Sequence, residues 1–103
     1  MAEHPRRRRH RRIDALGRCF AQIGDGWEAS VLNLSASGLL MRLRRGLTPG
    51  SAYILKVLLD GQVLVVEARV VRIAKLDEEC FAGMEFIGMS TEDAALVRRY
   101  LRP

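Results

Sequence analysis

The sequence predicts an all-β chain, a small six-stranded antiparallel β-barrel closed by a C-terminal α-helix. Three observations predict it. Short runs of alternating or β-branched residues recur from residue 18 to residue 87, separated by Gly-, Asp-, Pro- and Ser-containing turns. Asp60-Gly61 stands between two of these runs, a strong two-residue hairpin signal. After Ser90 the apolar period changes from two to that of a helix. At 103 residues and 49% hydrophobic composition, the chain is one domain able to build its core without staples.

The elements follow in order. Residues 18–23 alternate Arg18, Phe20 and Gln22 against Cys19, Ala21 and Ile23, and Gly24-Asp25-Gly26 turns the chain into a second strand over 27–32. Small and polar residues at 33–38 break the pattern, which resumes at 39–43. Leu47-Thr48-Pro49-Gly50 is a further turn, and residues 53–59 and 62–73 are rich in Val, Leu and Ile. An acidic loop at Asp77, Glu78 and Glu79 precedes the sixth strand, 81–87. Ser90 and Asp93 then form the acidic variant of a capping box. Ala94, Val97 and Leu101 share the apolar face of the helix. Glu92 and Asp93 open it and Arg98, Arg99 and Arg102 close it, as its dipole prefers.

The location of the charge is more telling than its total of +5. Residues 1–12 hold six arginines and one acid, Glu3, and the other 91 residues balance 11 basic against 11 acidic side chains. All the excess lies on one short arm, which has nothing to bury and repels itself. It is expected to be mobile until an anion holds it. Several function classes drop out. Both histidines, His4 and His10, belong to the arm, where no general base is held in place, and no serine has a histidine partner on the body, so an enzyme is not expected. Cys19 and Cys80 lie in apolar stretches and read as buried free thiols; no Cys/His cluster suggests a metal. No apolar run reaches the roughly 18 residues of a membrane helix, and no long apolar core follows the arginines as in a secretory signal. The expected location is the cytoplasm.

Two segments carry recognition chemistry. One is the arginine run Arg8-Arg9-His10-Arg11-Arg12, leading into Ile13; the other is Asn33-Leu34-Ser35-Ala36-Ser37-Gly38 between two strands. Taken singly, the first is a solvated basic arm and the second a polar turn. Taken together, Arg-x-x-x-Arg before a β domain and Asn-x-Ser-x-x-Gly about twenty residues later resemble the PilZ domain family. Arg8 and Arg12 match the first motif and Asn33, Ser35 and Gly38 the second. Arg7 and Arg11 share the Arg-x-x-x-Arg spacing, but Ile13 directly after Arg12 favours the Arg8–Arg12 register. Asn33 stands where many relatives have Asp; its amide keeps an accepting oxygen and adds two donors. The strand count, the run Phe81-Ala82-Gly83-Met84-Glu85-Phe86 and the closing helix with Arg98-Arg99-Tyr100-Leu101 extend the likeness over nearly the whole chain.

The resemblance implies a split β-barrel over 14–103, a flexible arm over 1–13, and binding of the bacterial second messenger cyclic di-GMP in a motility, adhesion or biofilm circuit. The chemistry is consistent. A guanidinium fork matches the O6/N7 edge of guanine and the phosphate oxygens, and it stacks on a base. Arg8 and Arg12 then fold over the ligand, and Asn33 and Ser35 form the opposite wall. Gly38 supplies a positive φ. Arg7 and Arg9 are placed to take a second, stacked ligand molecule, as happens in some members of the family. Arg72 is a further candidate for stacking, though it also reads as a solvated strand end, and Trp27 reads as core or a strand-edge cap. A bound ligand would alter a surface seen by a downstream protein. The alternatives are a non-specific nucleic-acid or acidic-protein binding module, or an adaptor that binds protein only.

Overall fold

The computed structural model describes residues 13–14, 19–24 and 26–101, with the backbone alone for Ile13 and Asp14. The arm therefore lies outside the described residues. Seven strands precede one helix: β1 (Ile13–Asp14), β2 (Cys19–Ile23), β3 (Trp27–Ser35), β4 (Gly38–Leu43), β5 (Ala52–Leu59), β6 (Gln62–Leu76), β7 (Glu79–Met89) and α1 (Thr91–Leu101). Six of them close a barrel in the order β3-β2-β5-β6-β7-β4, with β4 returning to β3, and every pairing is antiparallel. This is the expected six-stranded barrel with a terminal helix. The seventh strand, β1, was not foreseen. It adds two residues to the edge of β3 that β2 also uses, because the other edge is already taken by β4.

Alternation builds the core. Val31, Leu39, Met41, Leu55, Leu64 and Val70 are essentially inaccessible, and each such burial is worth about 1.5–3 kcal/mol. Helix α1 sets Val97 and Leu101 against one end of this core. Ser90 caps α1 as expected, its Oγ accepting the Asp93 N–H at 3.0 Å. Asp93 also reaches β6, where its Oδ2 accepts the Val65 N–H at 3.2 Å. The side chain that opens the helix thus also pins it to the barrel.

The turns obey their residues. Asp60 (φ 52°) and Gly61 (φ 81°) are both left-handed, the signature of a type I′ hairpin. Ser51 N–H donates to the Thr48 carbonyl at 3.1 Å around Pro49 and Gly50 (φ 87°), a type II turn. At the β3–β4 connection the structure departs from expectation. Strand β3 runs on through Asn33 and Leu34 to Ser35, so the break expected over 33–38 shrinks to Ala36-Ser37. Gly38 does not adopt the positive φ expected of it. It is needed because β4 passes tightly against β7 here. A Cβ on Gly38 would collide with the Met84 carbonyl oxygen and lie 3.4 Å from the Glu85 Cα.

Register shifts interrupt the barrel at two points that matter for function. Val31 pairs with Met41 but Asn33 with Leu40, so Leu32 is an extra residue in β3. Val70 pairs with Met84 but Arg72 with Gly83, so Val71 is an extra residue in β6.

Cys19 and Cys80 are both free and buried, as expected. Burial pushes the Cys19 thiol up from its ordinary 9.0 to about 11.

Two outcomes follow. Gly38→Ala should cost about 2–3 kcal/mol in urea unfolding, since backbone, not a side-chain tip, opposes the new methyl; an unchanged midpoint would contradict the close approach. Above pH 9 the unfolded chain ionises Cys19 while the native chain does not. Stability should therefore fall by about 2–3 kcal/mol between pH 9 and 11. Thermal melts of wild type and Cys19→Ala across that range check this, and the alanine variant should lose that part of the pH slope.

Candidate functional site

The second motif occupies the end of β3, the Ala36-Ser37 turn and the start of β4. Leu34 and Leu39, paired across the hairpin, both face the core, so Asn33 and Leu40 belong to the outer face, while Ser35 and Gly38 are buried at the turn itself. The extra residue Leu32 makes this possible. Ala29 and Val31 point inward, and unbroken alternation would have sent Asn33 into the core after them.

Pairing continues this outer face across the wall. One row runs from Asn33 to Leu40, Gly83 and Arg72; the next runs from Ser35 to Gly38, Glu85 and Arg69. Asn33 and Arg72 stand three strands apart, about 14 Å at the usual spacing. Between them Gly83 in one row and Gly38 in the next carry no side chain, beside Leu40 and Glu85, with Asn33 on one side and the exposed Arg69 and Arg72 on the other. Arg72 owes its outward position to the extra residue Val71, just as Asn33 does to Leu32.

Ser35 has a more structural place than the sequence suggested. Only 1% exposed, it is the buried polar side chain of the described core. Its Oγ accepts the Ser37 N–H at 3.2 Å and donates to the Gly38 carbonyl at 3.3 Å, with the Ser37 Oγ a further 3.3 Å neighbour. The Ser37 carbonyl in turn accepts the Phe86 N–H at 2.9 Å. The hydroxyl thus ties the turn, and β7 holds the turn in place.

The first motif, and with it Arg7, Arg8, Arg9 and Arg12, lies outside the described residues. Its attachment point does not. Ile13 pairs with Leu34 and Asp14 with Asn33. Arg12 directly precedes Ile13 in the sequence, so the first motif ends next to the residue that pairs with Leu34. Sequence reasoning named Asn33, Ser35, Gly38 and Arg72, but missed Leu40, Gly83, Arg69 and Glu85. Strand alternation alone could have put these four on one face; pairing was needed to make them neighbours.

A larger cleft, about 680 Å³, lies at the other end of β3, among Phe20, Trp27, Glu28, Ser30, Arg42 and Arg44. It contains neither Asn33, Ser35 nor Gly38, and β1 leads the arm's chain to the opposite end of the strand, so the motif face is the better candidate. Trp27 is half exposed at the start of β3 with the Arg45 guanidinium 5.2 Å from its ring centroid, which makes it a strand-edge cap. Among the described residues no group of His, Cys, Asp and Glu could hold a metal ion, and no helix is long and apolar enough to cross a membrane.

Comparison with known proteins agrees with this architecture. The inhibitor of motility MotI/DgrA of Bacillus subtilis superposes with a TM-score of 0.79 at 25% identity, over 92% of this chain and 49% of that one. This chain thus spans about half the length of that protein. The PilZ domain of YcgR from Escherichia coli, solved with c-di-GMP, gives 0.71 at 20% identity over 92% of this chain and 88% of that one. The PlzA protein of Borreliella burgdorferi, in complex with c-di-GMP, gives 0.63 at 16% over 92% and 41%. No curated protein matches the sequence. The family model of the PilZ domain matches residues 6–102, from the first arginine of the arm to the end of the helix. The chain belongs to the PilZ domain family.

Proposed function

We propose that this chain is a receptor for cyclic di-GMP that works by binding and has no catalytic activity. The observation that carries the reading is the pairing of Asp14 with Asn33. It brings the chain that bears one motif to the residues of the other, beside a stretch of outer barrel wall thinned by Gly83 and Gly38. Solved PilZ proteins of the same fold, YcgR and PlzA, are complexed with this ligand.

In this reading residues 1–13 are the ligand-gripping arm, and the barrel from residue 14 onward is the wall. Ile13 itself pairs within β1, so the hinge falls at or before it. Arg8 and Arg12 grip guanine edges and phosphates through bidentate forks, and Arg7 and Arg9 take a second, stacked molecule. Asn33 meets a base edge from the opposite side. Ser35 contributes mainly by holding the turn that shapes the wall, and Gly38 by keeping the wall bare. Arg72, across Leu40 and Gly83 from Asn33, is placed to stack on a base. The ligand joins arm to barrel, and a protein partner, in the cytoplasm, reads the joined surface. The relative described as an inhibitor of motility makes a motility circuit the first place to look.

Calorimetric titration with cyclic di-GMP tests this. Saturable binding is expected, with preference over GMP and GTP. Arg8→Ala or Arg12→Ala should abolish it, and Ser35→Ala should weaken it about tenfold through the loosened turn. The measured molar ratio decides between one ligand and two. Absence of saturable binding at moderate salt, or arginine variants that bind like wild type, would refute the assignment. Equal affinity for all polyanions with a steep fall in salt would instead mark the arm as a non-specific nucleic-acid or acidic-protein grip.

A further inference from the structure

Glu85 is a charged residue of the motif face to which the proposed function gives no part. On β7, Cys80, Ala82 and Met84 face the core while Gly83 and Glu85 face outward, and the Glu85 side chain is exposed. Pairing sets Glu85 in register with Gly38 on one side and Arg69 on the other. Gly83, two residues along the same strand, pairs with Leu40 and Arg72. Two of the positions that border Glu85 therefore have no side chain, and its carboxylate can be approached over them. Residues two apart on a strand stand about 7 Å from each other, close to the length of a purine. A flat ring laid over Gly83 has Leu40 and Arg72 on its flanks and Glu85 at its end.

On the receptor reading above, we infer that Glu85 accepts the N1–H and N2–H edge of a guanine seated over Gly83, and so sets which purine this face takes. Cyclic di-GMP carries two phosphates, and a negative side chain beside them repels unless it meets donors. Guanine supplies those donors. Its N1–H and N2–H lie side by side and match the two oxygens of a carboxylate as a pair of charge-assisted bonds. Among the described side chains of the two rows, Glu85 is the one carboxylate. The others cannot replace it. The Asn33 amide has a single accepting oxygen, Arg69 and Arg72 only donate, and the Ser35 hydroxyl is engaged within its turn. Arg69 does not take Glu85 out of play, because an exposed cross-strand ion pair contributes little. The O6/N7 edge of the same base is left for a guanidinium. Adenine presents an accepting N1 and a bare C–H where guanine donates, so the carboxylate rejects it by repulsion as well as by bonds not made.

Calorimetric titration of the full chain with cyclic di-GMP and with its hypoxanthine analogue, cyclic di-IMP, tests the assignment. The analogue keeps O6, N7 and N1–H and lacks only the N2 amino group. Wild type should prefer cyclic di-GMP about tenfold. Glu85→Ala should bind cyclic di-GMP about tenfold more weakly or worse, with the preference over the analogue reduced to within about twofold. It should melt like wild type, since the side chain it removes is exposed. Arg69→Ala should keep the preference. Wild type that takes both ligands equally, a Glu85→Ala variant with the preference intact, or one that loses the same factor for both ligands would each overturn the role given to Glu85 and leave the receptor reading standing. Wild type that binds neither ligand would overturn the receptor reading itself, and the role of Glu85 with it.

Discussion

In a barrel wall every side chain points either into the core or away from it, and strict alternation would decide the matter residue by residue. Following Ala29 and Val31, alternation would drive Asn33 into the core; following Ala68 and Val70, it would do the same to Arg72. A buried, unpaired guanidinium or amide carries a heavy desolvation cost. One extra residue in each strand, Leu32 and Val71, reverses the parity at the right place. Everything described at the candidate site depends on those two bulges. They put Asn33 and Arg72 on the two sides of a stretch of outer wall that includes Gly83, while leaving the described core apolar but for Ser35.

Ser35 shows how the same segment serves fold and site together. Its hydroxyl is the buried polar side chain of the described core, and both its donor and its acceptor capacity are used within the turn. Among the described residues no buried side-chain nitrogen or oxygen lacks a partner. The turn is also bonded to β7 through Phe86 N–H, and Gly38 lets β4 close against the Met84 carbonyl. The wall here is therefore stiff, which is what a recognition surface of few side chains needs. The missing side chain at Gly38 is a consequence of the packing.

What could be read from the sequence was what is local. The Asp60-Gly61 hairpin, the strand alternation, the Ser90 cap and the charge on residues 1–12 each need only a few neighbouring residues to interpret, and the first three appear in the structure as expected. What was missed is non-local. Gly38 looked like a residue needed for its φ because small polar residues surround it; the real constraint is a carbonyl on β7, 46 positions away. Strand β1 is two residues long and has no pattern of its own; it exists because β3 offers it an edge. The extension of β3 through Asn33 was hidden because the bulge at Leu32 disguises a continuing strand as a loop. Motif resemblance supplied Asn33 and Ser35 where periodicity could not.

The closed wall also limits how such a molecule could signal. Each of the six barrel strands is paired on both sides, and helix α1 is fixed to β6 by Asp93 as well as by its apolar face. Deforming a close-packed barrel to report a ligand on its outer surface would break many contacts at once. By contrast, β1, which follows the arginine run in the sequence, pairs through two residues alone, the lightest strand pairing among the described residues. Residues 1–12 hold the entire excess of charge, while the rest of the chain is neutral. In the proposed reading, a dianionic ligand gripped by these arginines would neutralise part of that charge without asking the barrel to move. The visible change, for a partner protein, would be electrostatic and confined to one side of the wall.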